Sequence, residues 1–323
     1  MLSLDTLRAL HKAELHAHLN GSIPANHVVS LLEQNGIPFP DGLTAQDLVL
    51  RSPVSCLPQY FKPWTIFKLL PIGKQCLDAM VDAAVAALGN DHVKYAEFRN
   101  SPFNIADLNE ITLDETVEWL VDSLAGASAR RDVDTRLVVS LSRYKFDLHR
   151  SHELWRAIGR ANRTGIVVGV DLSGNEDAPI DGAVARLFRE AKDSLGLGVT
   201  VHAGETGNPA TIRWAVNECK ADRIAHALAA AHDASLLEEL AARDICVEVC
   251  LTSNLFSGQV DRLEDHPVRH FIEHAVPFVL CTDNPQVLQT CLSQEYELFL
   301  STFGKDCFIE DMLQQQQRRS FAR

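Results

Sequence analysis

Short runs rich in β-branched and apolar residues alternate along this chain with longer stretches whose apolar positions recur every three or four residues. The first pattern predicts strands and the second amphipathic helices. The spacing predicts eight strands, at 12–18, 93–99, 135–141, 166–172, 198–203, 222–226, 244–251 and 277–283. Helical patterns fall between them, at 113–130, 151–164, 181–194, 208–219, 234–243 and 267–275. Strands alternating with helices in this way predict parallel βαβ units, and eight such units close naturally into a (β/α)8 TIM barrel. An open doubly wound sheet is the alternative. The lack of a GxGxxG turn after the first strand counts against it.

One interval breaks the rhythm. More than seventy residues separate strands one and two, and this insertion, about 20–92, carries Pro38, Pro40, Pro53, Pro58, Pro63 and Pro71. It follows a strand, so in a barrel it emerges on the face where active sites sit and predicts a helical lid within one domain spanning 1–323. Tyr60, Phe61, Trp64 and Phe67 stand at helical spacing inside it. They read either as a helix packed on the barrel or as an apolar roof over a planar ligand, with Phe61 and Trp64 as its contacts. The run Gln314 to Gln317 reads as a solvated helix face.

Composition narrows the function. The 323 residues are 46% hydrophobic with a formal net charge of -13, and Lys and Arg do not cluster before Arg318-Arg319. That balance argues against a nucleic-acid binder and favours a small-molecule ligand. No apolar run reaches the ~20 residues of a membrane span. The N-terminus has no basic region followed by a long apolar stretch, and the eight cysteines form no CxxC pair. These features predict a cytoplasmic protein with reduced thiols and no membrane partner. Oligomeric state stays open.

The candidate chemistry sits at strand ends. Strand one ends in His16-Ala17-His18, whose histidines share one face of a period-two segment. Strand five runs into His202-Ala203-Gly204-Glu205, strand six into His226, and strand eight into Asp283-Asn284. In a barrel these ends converge on one mouth. His16, His18, His202 and Asp283 then form a three-nitrogen, one-oxygen set suited to zinc or a similar divalent ion, with water completing the site. Glu205 is placed to transfer protons, and His226 to orient or deprotonate the water. Strand four supplies no lysine to bridge two metals, which favours a single ion.

The segments Glu14-Leu15-His16-Ala17-His18-Leu19-Asn20-Gly21-Ser22-Ile23, Val168 to Glu176, Thr200 to Glu205, Asp222 to Ala227, Cys250 to Asn254 and Cys281 to Pro285 resemble, in this order, the adenosine deaminase family. The resemblance covers about residues 10–300. It implies one zinc ion per chain held by His16, His18, His202 and Asp283, and hydrolytic removal of the amino group from a 6-aminopurine. Glu205 would protonate purine N1, and His226 would act as base or electrostatic partner of the water. Gly174 would donate its backbone N–H to purine N3, and His18, Asn20 and Asn284 would contact the substrate. The cytidine-deaminase scheme, with its HxE and PCxxC signature, is absent.

Three departures from the family pattern bear on the substrate. Asn20 stands where adenosine-specific members carry Asp and adenine-specific members Glu. Together with Gly21-Ser22 it resembles the adenosine deaminase-like branch, which accepts N6-substituted AMP. Asn284 replaces the second of two aspartates and can donate to N7 without supplying a proton. Ala225 and Ala227 replace the usual glycines beside His226 and tolerate fewer backbone conformations. The expected activity is conversion of adenosine to inosine and ammonia. Alternatives are an adenine nucleotide, N6-methyl-AMP or a 5'-modified adenosine, a catalytically silent purine-nucleoside binder, and a barrel hydrolase opening a cyclic amide or ester.

Overall fold

The computed structural model describes residues 2–178, 180–304 and 308–322. Eight strands form one sheet in sequence order: β1 (Lys12–His18), β2 (Val93–Asn100), β3 (Asp134–Ser142), β4 (Val167–Ser173), β5 (Gly198–Ala203), β6 (Arg223–His226), β7 (Cys246–Val249) and β8 (Phe278–Leu280). Every paired neighbour is parallel. β1 and β8 meet through a single bridge between Ala17 and Asp283, where Asp283 N–H donates to His16 O at 2.8 Å and His18 N–H to Asp283 O at 2.8 Å. The result is the nearly closed (β/α)8 barrel that the strand spacing predicts.

The helices follow from local signals. Thr112 caps Leu113–Arg131 by accepting from Glu115 N–H, and Asp147 caps Leu148–Ala161 by accepting from Arg150 N–H. The expected strand over 277–283 spans only Phe278–Leu280, and Asp283, left-handed with φ 62°, makes an isolated bridge to Ala17 beyond it. The expected strand over 244–251 ends at Val249 and gives way to a helix at Leu251–Phe256.

Between β1 and β2 the chain forms several short helices and then Gly73–Gly89, which packs against Leu113–Arg131 as an ordinary crossover helix. The segment that crosses the mouth therefore ends before Gly73. Pro63 splits its aromatic run into Leu57–Tyr60 and Trp64–Phe67. Leu50 N–H bonds to Val287 O and Val54 N–H to Phe256 O, fastening the segment to the far side of the mouth.

The opposite end of the barrel is closed by the last helix, Phe308–Arg319, and the residues after it. The Phe321 ring lies against Gly169 and Gly198, where any Cβ would come within 2.6 Å or less of the ring. The Arg223 guanidinium stacks on it 3.6 Å from the centroid. Gln316 corrects the expectation of a wholly solvated glutamine face. It is buried, accepts from Ala13 N–H at 3.0 Å and donates to Leu280 O, because this helix seals the bottom of β1 and β8.

Among the described residues, no helix is long and apolar enough to cross a membrane. The seven described cysteines are free: Cys76, Cys219, Cys246, Cys250 and Cys281 are buried, Cys291 half-buried and Cys56 exposed. Cys307 lies outside the described residues.

Candidate metal centre and active site

The barrel brings His16, His18, His202 and Asp283 together, one ligand atom of each lying within 4.8 Å of all the others. Asp283 Oδ1 stands 3.5 Å from His16 Nε2 and 3.3 Å from His18 Nε2, and His18 Nε2 faces His202 Nε2 at 3.4 Å. His16 Nε2 is buried without a hydrogen-bond partner. Imidazole nitrogens that face one another, with one buried and unpartnered, leave a polar gap that a shared cation fills.

The orientation of three of the four, His16, His202 and Asp283, is enforced from behind. His16 Nδ1 is 2.8 Å from Glu248 Oε2, and His202 Nδ1 is 2.9 Å from Asp171 Oδ1. Carboxylates on Nδ1 turn Nε2 towards the centre, as outer-shell partners of metal ligands do. These carboxylates belong to a buried ionic column that fills the barrel. Arg99 pairs with Asp171 and Glu248, and Arg223 pairs with Glu248 and Glu97. Phe321 N–H bonds to Glu97, so the column runs from the plugged end to the ligands. Asp283 Oδ2 accepts from Ser253 Oγ and, at 3.1 Å, from Tyr60 OH.

Burial and charge set the protonation states. Burial, reinforced by the facing rings of His202 and His16, holds His18 down to about 3. Burial likewise lowers His202. His16 moves the other way, because the Asp283 and Glu248 carboxylates outweigh burial there. Three imidazoles and a carboxylate whose donor atoms converge in this way form a donor set that fits a divalent ion.

Glu205 stands beside this centre. Glu176 accepts from the N–H groups of Gly204, at 2.5 Å, and Thr206, at 2.9 Å, so the residues before and after Glu205 are tied to one carboxylate. Burial pushes the Glu205 carboxyl up to about 8, with the charges of Asp283 and Glu176 adding to the effect. His226 closes the ring of groups, its centroid 5.3 Å from both His16 and His202. Its φ of 69° and the 51° of Ala227 lie in the left-handed region, so Ala227 occupies a bend that glycine adopts with less strain, whereas Ala225 lies in β6 without a positive φ.

A cavity of about 280 Å3 opens above the centre, lined by His18, Phe61, Trp64, Gly174, Glu205, His226 and Asn284 among others. Gly174, with φ 98°, lets the turn after β4 pass close to Ser142 and Tyr144. Asn284 donates from Nδ2 to Tyr60 OH at 3.0 Å. Asn20 is not in this cavity. It lines an adjoining chamber of about 490 Å3, with Lys68, Asn100, Ser101 and Asn104. His18, Trp64, Ser142, Tyr144 and Ser173 border both spaces.

Sequence reasoning missed Asp171, Glu248, Arg99, Ser253 and the hydroxyl of Tyr60. Charged residues inside otherwise apolar strands were the available signal for the first three. Nothing in the spacing ties Tyr60 or Ser253 to Asp283.

The family model for adenosine deaminase matches residues 11–322. The adenosine deaminase of Pectobacterium atrosepticum is 31% identical over 293 residues, covering 88% of this chain and 84% of that protein. Among solved structures, the N6-mAMP deaminase of Arabidopsis superposes with a TM-score of 0.85 at 26% identity, covering 99% of this chain and 96% of that one. An amidohydrolase of Burkholderia ambifaria with bound zinc superposes with a TM-score of 0.88 at 22% identity, covering 100% and 90%, and supports the fold alone. Ligand geometry, motif order and relatedness along nearly the whole chain agree: this protein belongs to the adenosine deaminase family.

Proposed function

We propose that this protein is a metal-dependent aminohydrolase that converts adenosine to inosine and ammonia, with one zinc ion held by His16, His18, His202 and Asp283. The observation that carries the reading is the unpartnered, buried Nε2 of His16 facing Asp283, beside a carboxyl group raised to about 8. When bound, a divalent ion makes hydroxide available near neutral pH by lowering the pKa of water towards ~7.

The protein's own groups do the rest. Glu205 carries its proton at neutral pH and delivers it to purine N1, making C6 electrophilic. The Gly174 N–H and the Asn284 amide hold the ring at N3 and N7, and Phe61 and Trp64 cover its face and exclude water. Glu176 keeps Glu205 from rotating away by tying down the residues before and after it. The residues from Asn20 to the start of the helix at Gly73 serve as the cover over this mouth.

The second chamber favours a second reading. It exceeds the first in volume, and Asn20 opens onto it beside Lys68. Amides and an ammonium suit a 5'-phosphate or another polar 5' extension, as in AMP or N6-methyl-AMP. The test is release of ammonia or methylamine from adenine, adenosine, 5'-modified adenosines, AMP and N6-methyl-AMP by the zinc-loaded protein. Turnover of adenosine supports the first reading and preference for a nucleotide the second. Inactivity on all of them overturns both.

A further inference from the structure

The geometry around His226 decides whether this ring gives or takes a hydrogen bond. Val268 N–H points at His266 Nδ1 at 3.0 Å. A backbone N–H can only donate, so Nδ1 of His266 must accept. His266 is buried, and burial holds it down to about 3, so the ring is neutral with its single proton on Nε2. That Nε2 lies 3.1 Å from the Asn254 amide, which must present its oxygen there. The amide nitrogen of Asn254 then faces His226 Nδ1 at 3.1 Å. An amide nitrogen is a donor, so Nδ1 of His226 accepts.

We infer that Asn254 and His266 are positioning residues that lock His226 in the tautomer with its proton on Nε2, facing the cavity as a hydrogen-bond donor and not as a base. The direction of every bond in the relay is fixed at one end by a peptide N–H, which cannot reverse. All three residues in the relay are buried, so water does not compete for the intermediate contacts. A water held against Nε2–H turns an oxygen lone pair towards the ring and cannot lose its proton to it. That proton passes instead to a carboxylate of the cavity, either Asp283 or Glu205 once Glu205 has given its own proton to purine N1. The helix Leu251–Phe256 thereby controls two members of the centre: Ser253 holds Asp283 and Asn254 holds His226.

The tautomer assignment is independent of the substrate, whereas its catalytic consequence rests on the deaminase reading. The test is two-bond 1H–15N correlation spectroscopy on zinc-loaded protein containing 15N-labelled histidine. The unprotonated nitrogen of His226 is expected at Nδ1, and a proton found there would overturn the inference. Asn254→Asp gives both rings an acceptor, which keeps the bond to His266 and reverses the one to His226. It is expected to move the proton to Nδ1 and to lower kcat by on the order of 10²- to 10⁴-fold, the range for a catalytic histidine held in the wrong tautomer. An unchanged tautomer in this variant would overturn the relay, and an unchanged kcat the donor role. His266→Gln keeps a donor facing Asn254 and is expected to retain the wild-type His226 signature. Wild-type protein inactive on every adenine substrate, with the expected tautomer, would overturn the deaminase reading and leave the relay supported.

Discussion

Glu205 owes its proton to its surroundings. The carboxyl lines the cavity, and burial there, with the charges of Asp283 and Glu176 adding to it, raises it to about 8. Glu205→Gln should keep the metal and the fold while lowering kcat by on the order of 10²-fold or more, the scale of a general acid. Metal content together with steady-state rates checks this, and a near-normal rate would sink the role. Asn20 makes a different prediction, because it opens on the second chamber. An amide there tolerates a hydroxyl or a phosphate oxygen, whereas a carboxylate repels the phosphate. Asn20→Asp should therefore raise the adenosine-to-AMP ratio of kcat/KM by about tenfold, equivalent to about 1.4 kcal/mol. An unmoved ratio would show that Asn20 does not read the 5' end. At this scale the sequence was legible where residues stand at strand ends. His16, His18, His202, Asp283, Glu205 and His226 all reach one centre. Asn254 and His266 were invisible as a pair, because their meeting depends on how a short helix after β7 packs against a loop, and no periodicity encodes that.

Elements were legible where a single rule governed them. The parallel strands followed from apolar runs at βα spacing, and the crossover helices from their amphipathic faces. Gly73–Gly89 was absorbed into the expected lid because an insertion and a crossover helix share the same pattern; only packing separates them. The helix Leu292–Thr302 shows how one element steadies another. Its Glu295 is fully buried and accepts from Thr252 N–H at 3.2 Å and Thr290 Oγ1 at 2.9 Å, so it clamps the start of Leu251–Phe256. Burial raises this carboxyl to about 7. Between the unfolded value near 4.5 and about 7, the folded chain holds a proton that the unfolded chain has lost. Stability from this group is therefore full below about 4.5 and falls as pH rises towards 7. Relative to Glu295→Gln, the wild type should lose on the order of 3 kcal/mol between pH 5 and pH 8. Urea unfolding at both pH values measures the difference, and parallel behaviour of the two proteins would argue against a raised Glu295.

For the whole molecule the decisive feature is where the barrel closes. β1 and β8 are joined by a lone bridge, and that bridge sits on the ligands themselves. The Glu14 carboxylate reaches Thr282 across the same junction, a contact between residues 268 positions apart. A loop of that length costs much conformational entropy to close. A covalent link between its ends would contribute on the order of 5 kcal/mol through the unfolded state. An ion held by the proposed ligands, two on β1 and one just after β8, would do the same work reversibly. The metal would then act as a clasp that reinforces the closure made by the Ala17–Asp283 bridge. Chelation should lower hydrogen-exchange protection first in peptides covering 12–18 and 278–284, ahead of β3 to β5. Uniform loss across all strands would contradict this. Starved of metal, the protein would lie open along one edge, exposing unpaired strands to other chains, so that scarcity of the ion would be felt as aggregation as well as lost turnover.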